Sequence, residues 1–394
     1  MRRDTIEDPP PSTDLALGLD VGGTKLAAGV VAGDGRVLSH LAVPSHVEQG
    51  PERMIERHLE LGRRAVLAAG VGWSDIAAIG IACGGPLDPA AGIIQSPPSL
   101  PGWHDVPIVE MVSNALDRPT VVDNDATAGA LAEWWFGAGR TRRVTNLVYL
   151  TISTGIGGGL VLDGRVYRGA AGNAGELGHL TVDYLGRRCG CGRRGCLEAY
   201  ASGTNIAVRA REALATGAPS TLTGLAQVTA RDVAEAAAAG DGLASRIWDE
   251  TTAILASAVA NILDVFNPEL VVLGGGVTRA GDQLLVPVRA GAIAQAMPPA
   301  AGAADVVLAE LGDRLSVVSA AALAFERSAG STADPVLTWD AATPASWRAH
   351  PGFEGADAGT FGEQPRVDAS ASGDHLVAVT APGEARPAAE AGER

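Results

Sequence analysis

The 394-residue sequence predicts an α/β protein made of two similar units that face one another across a cleft. Three observations predict it. Apolar strand-like runs alternate with longer stretches of helical periodicity, the pattern of strands covered by helices. A strand–turn–strand motif occurs twice, beginning at Leu17 and again at Val148. Both copies run on into the same tetrapeptide, Asp34-Gly35-Arg36-Val37 and Asp163-Gly164-Arg165-Val166, whose Asp-Gly is a hairpin-turn signal.

The elements follow in order. Residues 1–13 are polar and proline-rich and read as a disordered N-terminus. Residues 14–133 read as the first α/β domain. Within it, Leu17–Val31 forms the first hairpin, and Met54–Ala69 has apolar residues at helical spacing. Ile76–Cys83 is a buried strand that also buries Cys83, Thr120–Asp123 is a short strand, and Ala126–Trp135 is a helix. Residues 134–315 read as the second domain, with a mostly apolar helix at Leu243–Phe266 and a strand at Leu270–Leu273. A closing helix at 316–328 rejoins the first domain. Residues 329–394 lack sustained periodicity and read as a disordered acidic tail.

Composition narrows the function. At 46% hydrophobic and 19% charged residues, the chain suits a soluble globular protein. The longest apolar stretch, Ile254–Val265, is broken by Ser257 and Asn261, so no membrane partner is expected. A net charge of −15 argues against a nucleic-acid partner. It leaves anionic ligands open, because a local nest of amides can hold an anion whatever the global charge. No apolar stretch follows the polar first residues, so a secretory signal is not expected and a cytoplasmic location is.

Three of the four cysteines lie close to one histidine. His179, Cys189, Cys191 and Cys196 form a His-x9-Cys-x-Cys-x4-Cys set, which supplies a full tetrahedral shell for a structural Zn²⁺. Cys189 and Cys191 are too close in sequence for an unstrained bridge with each other, and in a reducing compartment such spacing points to metal. A closed shell leaves no position for an activated water. The chemistry therefore belongs to the flanking carboxylates Glu176 and Glu198, which a zinc-braced loop would present to something polar.

Asp20-x-Gly22-Gly23-Thr24-Lys25 sits on a strand–turn–strand, so it is neither a Rossmann fingerprint nor a P-loop. Its glycine turn can still offer N–H groups to phosphate oxygens, with the Thr24 hydroxyl beside them. Asp20 makes sense there if Mg²⁺ lies between carboxylate and phosphate. Thr154-Gly155-Ile156-Gly157-Gly158-Gly159 is a second such turn. Glycines are unfavourable in a strand, and a ligand pressing on the backbone is a sufficient reason for them. Gly274-Gly275-Gly276, at a strand's carboxyl end, is a third cluster of the kind that binds nucleotides. Asp123-Asn124-Asp125 lies between a strand and a helix. Asp125 there is either a helix cap or the base that takes a proton from an attacking hydroxyl in phosphoryl transfer. Asn124, Glu176, His179 and Glu198 together suit the vicinal hydroxyls of a sugar. His179 could serve both metal and ligand, one ring nitrogen to each.

On these motifs the chain resembles the ROK family of bacterial sugar kinases, sugar-responsive repressors and related proteins, over roughly residues 15–327. The resemblance implies a two-domain actin/hexokinase-like (ribonuclease-H-type) fold with an interdomain cleft, ATP with Mg²⁺, a structural zinc and a homodimer. It implies Asp125 as the base, with Asn124, Glu176, His179 and Glu198 on the sugar. It implies phosphates held at Gly23–Thr24 and Thr154–Gly155. Family glucokinases carry a loop similar to Leu100-Pro101-Gly102-Trp103, which here follows Gly84-Gly85-Pro86 and is expected to close over the sugar. The asparagine that those kinases carry before the leucine is Ser99 here. Repressors of the family carry an N-terminal helix-turn-helix, for which no room is expected before Asp20. The activity implied is ATP-dependent phosphorylation of a hexose 6-hydroxyl, with glucose the first expectation. N-acetylmannosamine, fructose and allose are alternative substrates, polyphosphate is an alternative donor, and a sugar-sensing regulator without turnover is an alternative function.

Overall fold

The computed structural model describes residues 14–328. The segments read as a disordered N-terminus and an acidic tail lie outside the described residues. The first half runs β1 (Leu15–Val21), β2 (Lys25–Ala32), β3 (Leu41–Pro44), α1 (Gly50–Ala69), β4 (Ile76–Cys83), β5 (Leu87–Asp88), β6 (Ile93–Ile94), α2 (Ile108–Leu116), β7 (Thr120–Asn124), α3 (Asp125–Phe136) and α4 (Ala138–Arg142). The second runs β8 (Leu147–Ile152), β9 (Ile156–Leu162), β10 (Arg165–Val166), α5 (Glu198–Ala201), α6 (Gly203–Ala215), α7 (Ala230–Ala238), α8 (Gly242–Phe266), β11 (Leu270–Gly274), α9 (Asp282–Gln295), α10 (Pro298–Ala303), β12 (Asp305–Leu308) and α11 (Leu315–Ser328).

The repeat seen in two hairpins extends to the whole of each sheet. The orders are β3-β2-β1-β4-β7 and β10-β9-β8-β11-β12. In each, an antiparallel meander leads into parallel strands reached by helical crossovers. Both faces of such parallel strands are covered, which explains the near-continuous apolar runs of β1, β4 and β11.

One helix from each half packs on the sheet of the other. Helix α11 lies across β1, β2, β4 and β7, whereas α3 lies across β8 and β9, and the two helices pack together between the sheets. A row of glycines makes the first contact possible: Gly18 on β1 is in register with Gly29 on β2 and Gly80 on β4. A Cβ on Gly18 would sit 2.2 Å from the Val317 carbonyl oxygen, and one on Gly80 would sit 1.7 Å from that of Ala320. The main chain of α11 therefore rests directly on the sheet. Helix α3 repeats the device, since a Cβ on Gly159 would lie 2.3 Å from the Ala126 carbonyl oxygen. Alanines line this central layer, and larger side chains fill the outer layers under α1 and α8.

These contacts correct one expectation. Gly157, Gly158 and Gly159 are not opened by a ligand; their missing side chains make room for Ala126 of α3 and for Gly175 and Leu177. Several helices also escaped the sequence reading, among them α2, α6, α7 and α9. Alanine-rich surfaces dilute the apolar stripe on α6, α7 is only nine residues long, and α9 carries Pro287, ordinarily a helix breaker, in its interior. Helix α1 begins four residues before the expected Met54, because Gly50–Arg53 is a polar first turn with Pro51 at its start.

Candidate active site

The parallel strands of the first sheet end together, at the edge where α/β sheets hold ligands. That edge carries Asp20 on β1, Cys83 on β4 and Asn124 on β7; Cys83 is buried and opposite Asn124 in register. Asn124 caps α3, with its Oδ1 accepting from the Ala126 and Thr127 amides at 2.9 and 3.3 Å. The capping role considered for Asp125 thus falls mainly to its neighbour, whose Nδ2 faces Gly85. Asp125 is the first residue of the helix and is exposed; its Oδ1 also takes the Ala126 amide at 2.8 Å. Desolvation by the surrounding protein raises its pKa, and the Ala126 amide partly offsets the rise.

Asp20 and Asp125 share one electrostatic field. Burial pushes Asp20 up to about 7, the charge of Asp125 adds to the rise, and Lys25 opposes it. Glu176 belongs to the same group: burial raises it, His179 lowers it, and Asp125 and Glu198 raise it again. Four carboxylates this close suit a site that binds a divalent cation or several hydroxyl donors.

The metal-loop residues come together as expected. The ligand atoms of His179, Cys189, Cys191 and Cys196 all lie within 4.8 Å of one another. Cys191 Sγ is 3.7 Å from Cys196 Sγ, and Cys189 Sγ is 3.7 Å from His179 Nδ1. A tetrahedral zinc with bonds of about 2.0–2.3 Å needs edges near these lengths, so the donor set fits Zn²⁺. Nδ1 of His179 faces the thiols while Nε2 lies 3.8 Å from Glu176 Oε2. One imidazole thereby lies between the thiol cluster and Glu176.

Glu198 points the same way. Its Oε1 lies 4.0 Å from Cys189 Sγ, and its Oε2 accepts the Ile156 amide at 2.9 Å. Ile156 follows the Thr154–Gly155 turn, which a hydrogen bond from the Ser153 amide to the Gly155 carbonyl closes. Gly275, at φ 91°, packs on the Ile152 carbonyl and so flanks the start of that turn. The Asp20 turn is closed by the Gly22 amide on the Lys25 carbonyl, with Thr24 and Lys25 exposed. A Cβ on Gly23 would meet the Ser99 carbonyl oxygen at 2.7 Å, so the loop before Leu100 rests against this turn. Trp103 is buried among Leu19, Met54 and Ile81 and anchors the loop to the core instead of facing a ligand.

Three site-supporting residues escaped the sequence reading. Arg168 donates to Asp123 at 2.6 Å and to Glu326 at 2.5 Å. Asn173 donates to the Leu87 carbonyl at 3.1 Å, beside the cis Gly85–Pro86 bond. The only local signal was that Asp123 is a third polar residue at the end of a buried strand.

Two sheets of identical order, helices α3 and α11 exchanged between them and a carboxylate site at the strand ends define an actin-like ATPase fold. The sequence matches the ROK family over residues 16–327, and the chain belongs to that family. It is 37% identical to the glucokinase of Thermotoga maritima over 318 residues, covering 80% of this chain and 98% of that one. A ROK glucokinase from Streptomyces griseus, solved with glucose and AMPPNP, is 32% identical with a TM-score of 0.67, covering 78% of this chain and 98% of that one. A ROK transcriptional regulator, a homolog of the E. coli MLC protein, superposes with a TM-score of 0.71 at 29% identity, covering 80% of this chain and 79% of that one. The family thus spans kinases and regulators. Among the described residues, no helix is long and apolar enough to cross a membrane.

Proposed function

We propose that this chain is an ATP-dependent hexose kinase that phosphorylates a sugar 6-hydroxyl, with glucose the first candidate. The observation that carries the reading is Asp125, an exposed carboxylate at the head of α3 whose charge is felt by both Asp20 and Glu176. In this reading Asp125 takes the proton of the attacking hydroxyl as the new O–P bond forms and the bond from the γ-phosphorus to the bridging oxygen breaks, releasing ADP. Asn124 Nδ2, Glu176, His179 and Glu198 hold the other hydroxyls, so that the 6-hydroxyl is aligned before reaction. The turns at Gly22–Lys25 and Thr154–Gly155, with Gly275 behind the second, offer amides to the phosphates. Asp20 would help to hold Mg²⁺, which would neutralise phosphate charge. His179, Cys189, Cys191 and Cys196 would hold Zn²⁺, which braces the loop between Glu176 and Glu198.

A coupled ADP-release assay over glucose, N-acetylmannosamine, fructose and allose, with ATP or polyphosphate as donor, tests the activity. Asp125→Asn should keep sugar affinity and lose a factor of about 10²–10⁴ in kcat. Near-normal turnover by that variant removes Asp125 as the base. The likeness to a ROK regulator favours a second reading, sugar binding without turnover, which predicts sugar binding by calorimetry and no ADP release with any sugar.

A further inference from the structure

We propose that Glu198 is a positioning residue for the donor-phosphate turn as well as a sugar ligand, which rests on the kinase reading above. The turn Ser153–Ile156 is held from one side by a bracket at residues 198–204. Glu198 Oε2 accepts the Ile156 amide at 2.9 Å. The Gly203 amide donates to the Ser153 carbonyl at 2.7 Å, and the Thr204 amide to the Thr154 carbonyl at 3.4 Å. A Cβ on Gly155 would sit 2.7 Å from Glu198 Oε2, so the turn is pressed against this carboxylate. The bracket is itself rigid: Asn205 Nδ2 donates to the Glu198 carbonyl and to Ser202 Oγ, both at 2.9 Å.

The turn needs such an anchor. Thr154 and Gly155 are partly or fully exposed, and glycine leaves the backbone free to rotate its amides away from a phosphate. A charge-assisted bond to the next amide restricts that freedom. A carboxylate has about four acceptor positions, so Oε2 can hold Ile156 while Oε1, beside Cys189, remains for a sugar hydroxyl. Cys196 lies two residues before Glu198, so the loop that orders the sugar side also orders the turn that would hold the donor.

The decisive readout is nucleotide affinity measured without sugar, since a residue serving only the sugar leaves it unchanged. AMPPNP with Mg²⁺ is titrated by calorimetry into wild type, Glu198→Gln, Glu198→Ala and Glu198→Asp. The glutamine retains a neutral acceptor for the Ile156 amide and should bind AMPPNP about threefold more weakly than wild type, between wild type and alanine, while binding sugar poorly. The alanine and the shortened aspartate lose the acceptor at that place and should bind AMPPNP about tenfold more weakly, the loss expected for one charge-assisted hydrogen bond. If the alanine variant does not fold, the aspartate and glutamine pair decides. Equal AMPPNP affinity in all the folded variants overturns the proposal and leaves the kinase reading standing. Absence of AMPPNP binding by wild type overturns the kinase reading and this proposal with it.

Discussion

Arg168 Nε donates to Asp123 Oδ2 at 2.6 Å, and the other oxygen of that carboxylate receives the Asn124 amide at 2.7 Å. The remaining guanidinium nitrogens reach Glu326 on α11 at 3.2 and 2.5 Å. One side chain therefore joins the end of β7, the segment after β10 and the closing helix, one residue before the Asn124–Asp125 pair. The Asp123 side chain is only 3% exposed, so its charge depends on this partner. Arg168→Leu should destabilise the fold by about 3–5 kcal/mol, because it strands a buried carboxylate. Urea denaturation of the two proteins measures it, and a loss below about 1 kcal/mol would show that the cluster contributes little.

Asp20 makes stability depend on pH. Its folded pKa of about 7 lies above the ordinary 3.8, so the carboxylate is charged in both states above pH 7 and its burial penalises the folded one. The penalty fades as pH falls from 7 towards 4. Without added Mg²⁺ or nucleotide, Asp20→Asn should therefore raise the melting temperature by roughly 2–6 °C at pH 8 and by little at pH 4. Buried His58, lowered to about 4, titrates with the opposite sign but is common to both proteins and cancels in the difference. Thermal melts across this range check the sign, and an equal gain at both ends would refute it.

The metal loop can be probed through Cys191, the exposed member of the set. Cys191→Ser should lower bound zinc from about one per chain to a small fraction, read by elemental analysis. Sugar affinity should fall by about 10–100-fold as Glu176 and Glu198 lose their shared support, read by calorimetry. Unchanged zinc content would dismiss the site.

The glycine row predicts a packing effect far from any ligand. Gly80→Ala would place a Cβ 1.7 Å from the Ala320 carbonyl oxygen, and backbone on both sides leaves nowhere to move. The substitution should destabilise by about 3 kcal/mol or more as α11 lifts from the sheet. By contrast, Gly242→Ala, where nothing lies within 4 Å, should be neutral or slightly stabilising. Parallel denaturation curves compare the two, and similar values would contradict the packing argument.

What could be read from sequence were features spelled out by near neighbours. The cysteine–histidine spacing, the repeated Asp-Gly hairpins and the Asn124–Asp125 step from strand to helix each carry their chemistry within a few residues. Partners distant in the chain left no such mark. Arg168 meets Asp123 across 45 positions and Glu326 across 158, and nothing beside Arg168 shows that it is held between two acids. Trp103 likewise reads as a loop aromatic until its surroundings are seen.

By itself, the sequence determined the α/β class, the duplication and the grouping of His179 with the three cysteines, because turn chemistry and ligand spacing are local. Only the tertiary structure decided which glycines make room for a helix, since a missing Cβ can serve a ligand or a neighbour and the neighbour that needs the space is distant in the chain. It also decided that Asn124 caps the helix while Asp125 is left exposed at its first position. That choice depends on where the helix begins in space, and two adjacent polar residues cannot encode it.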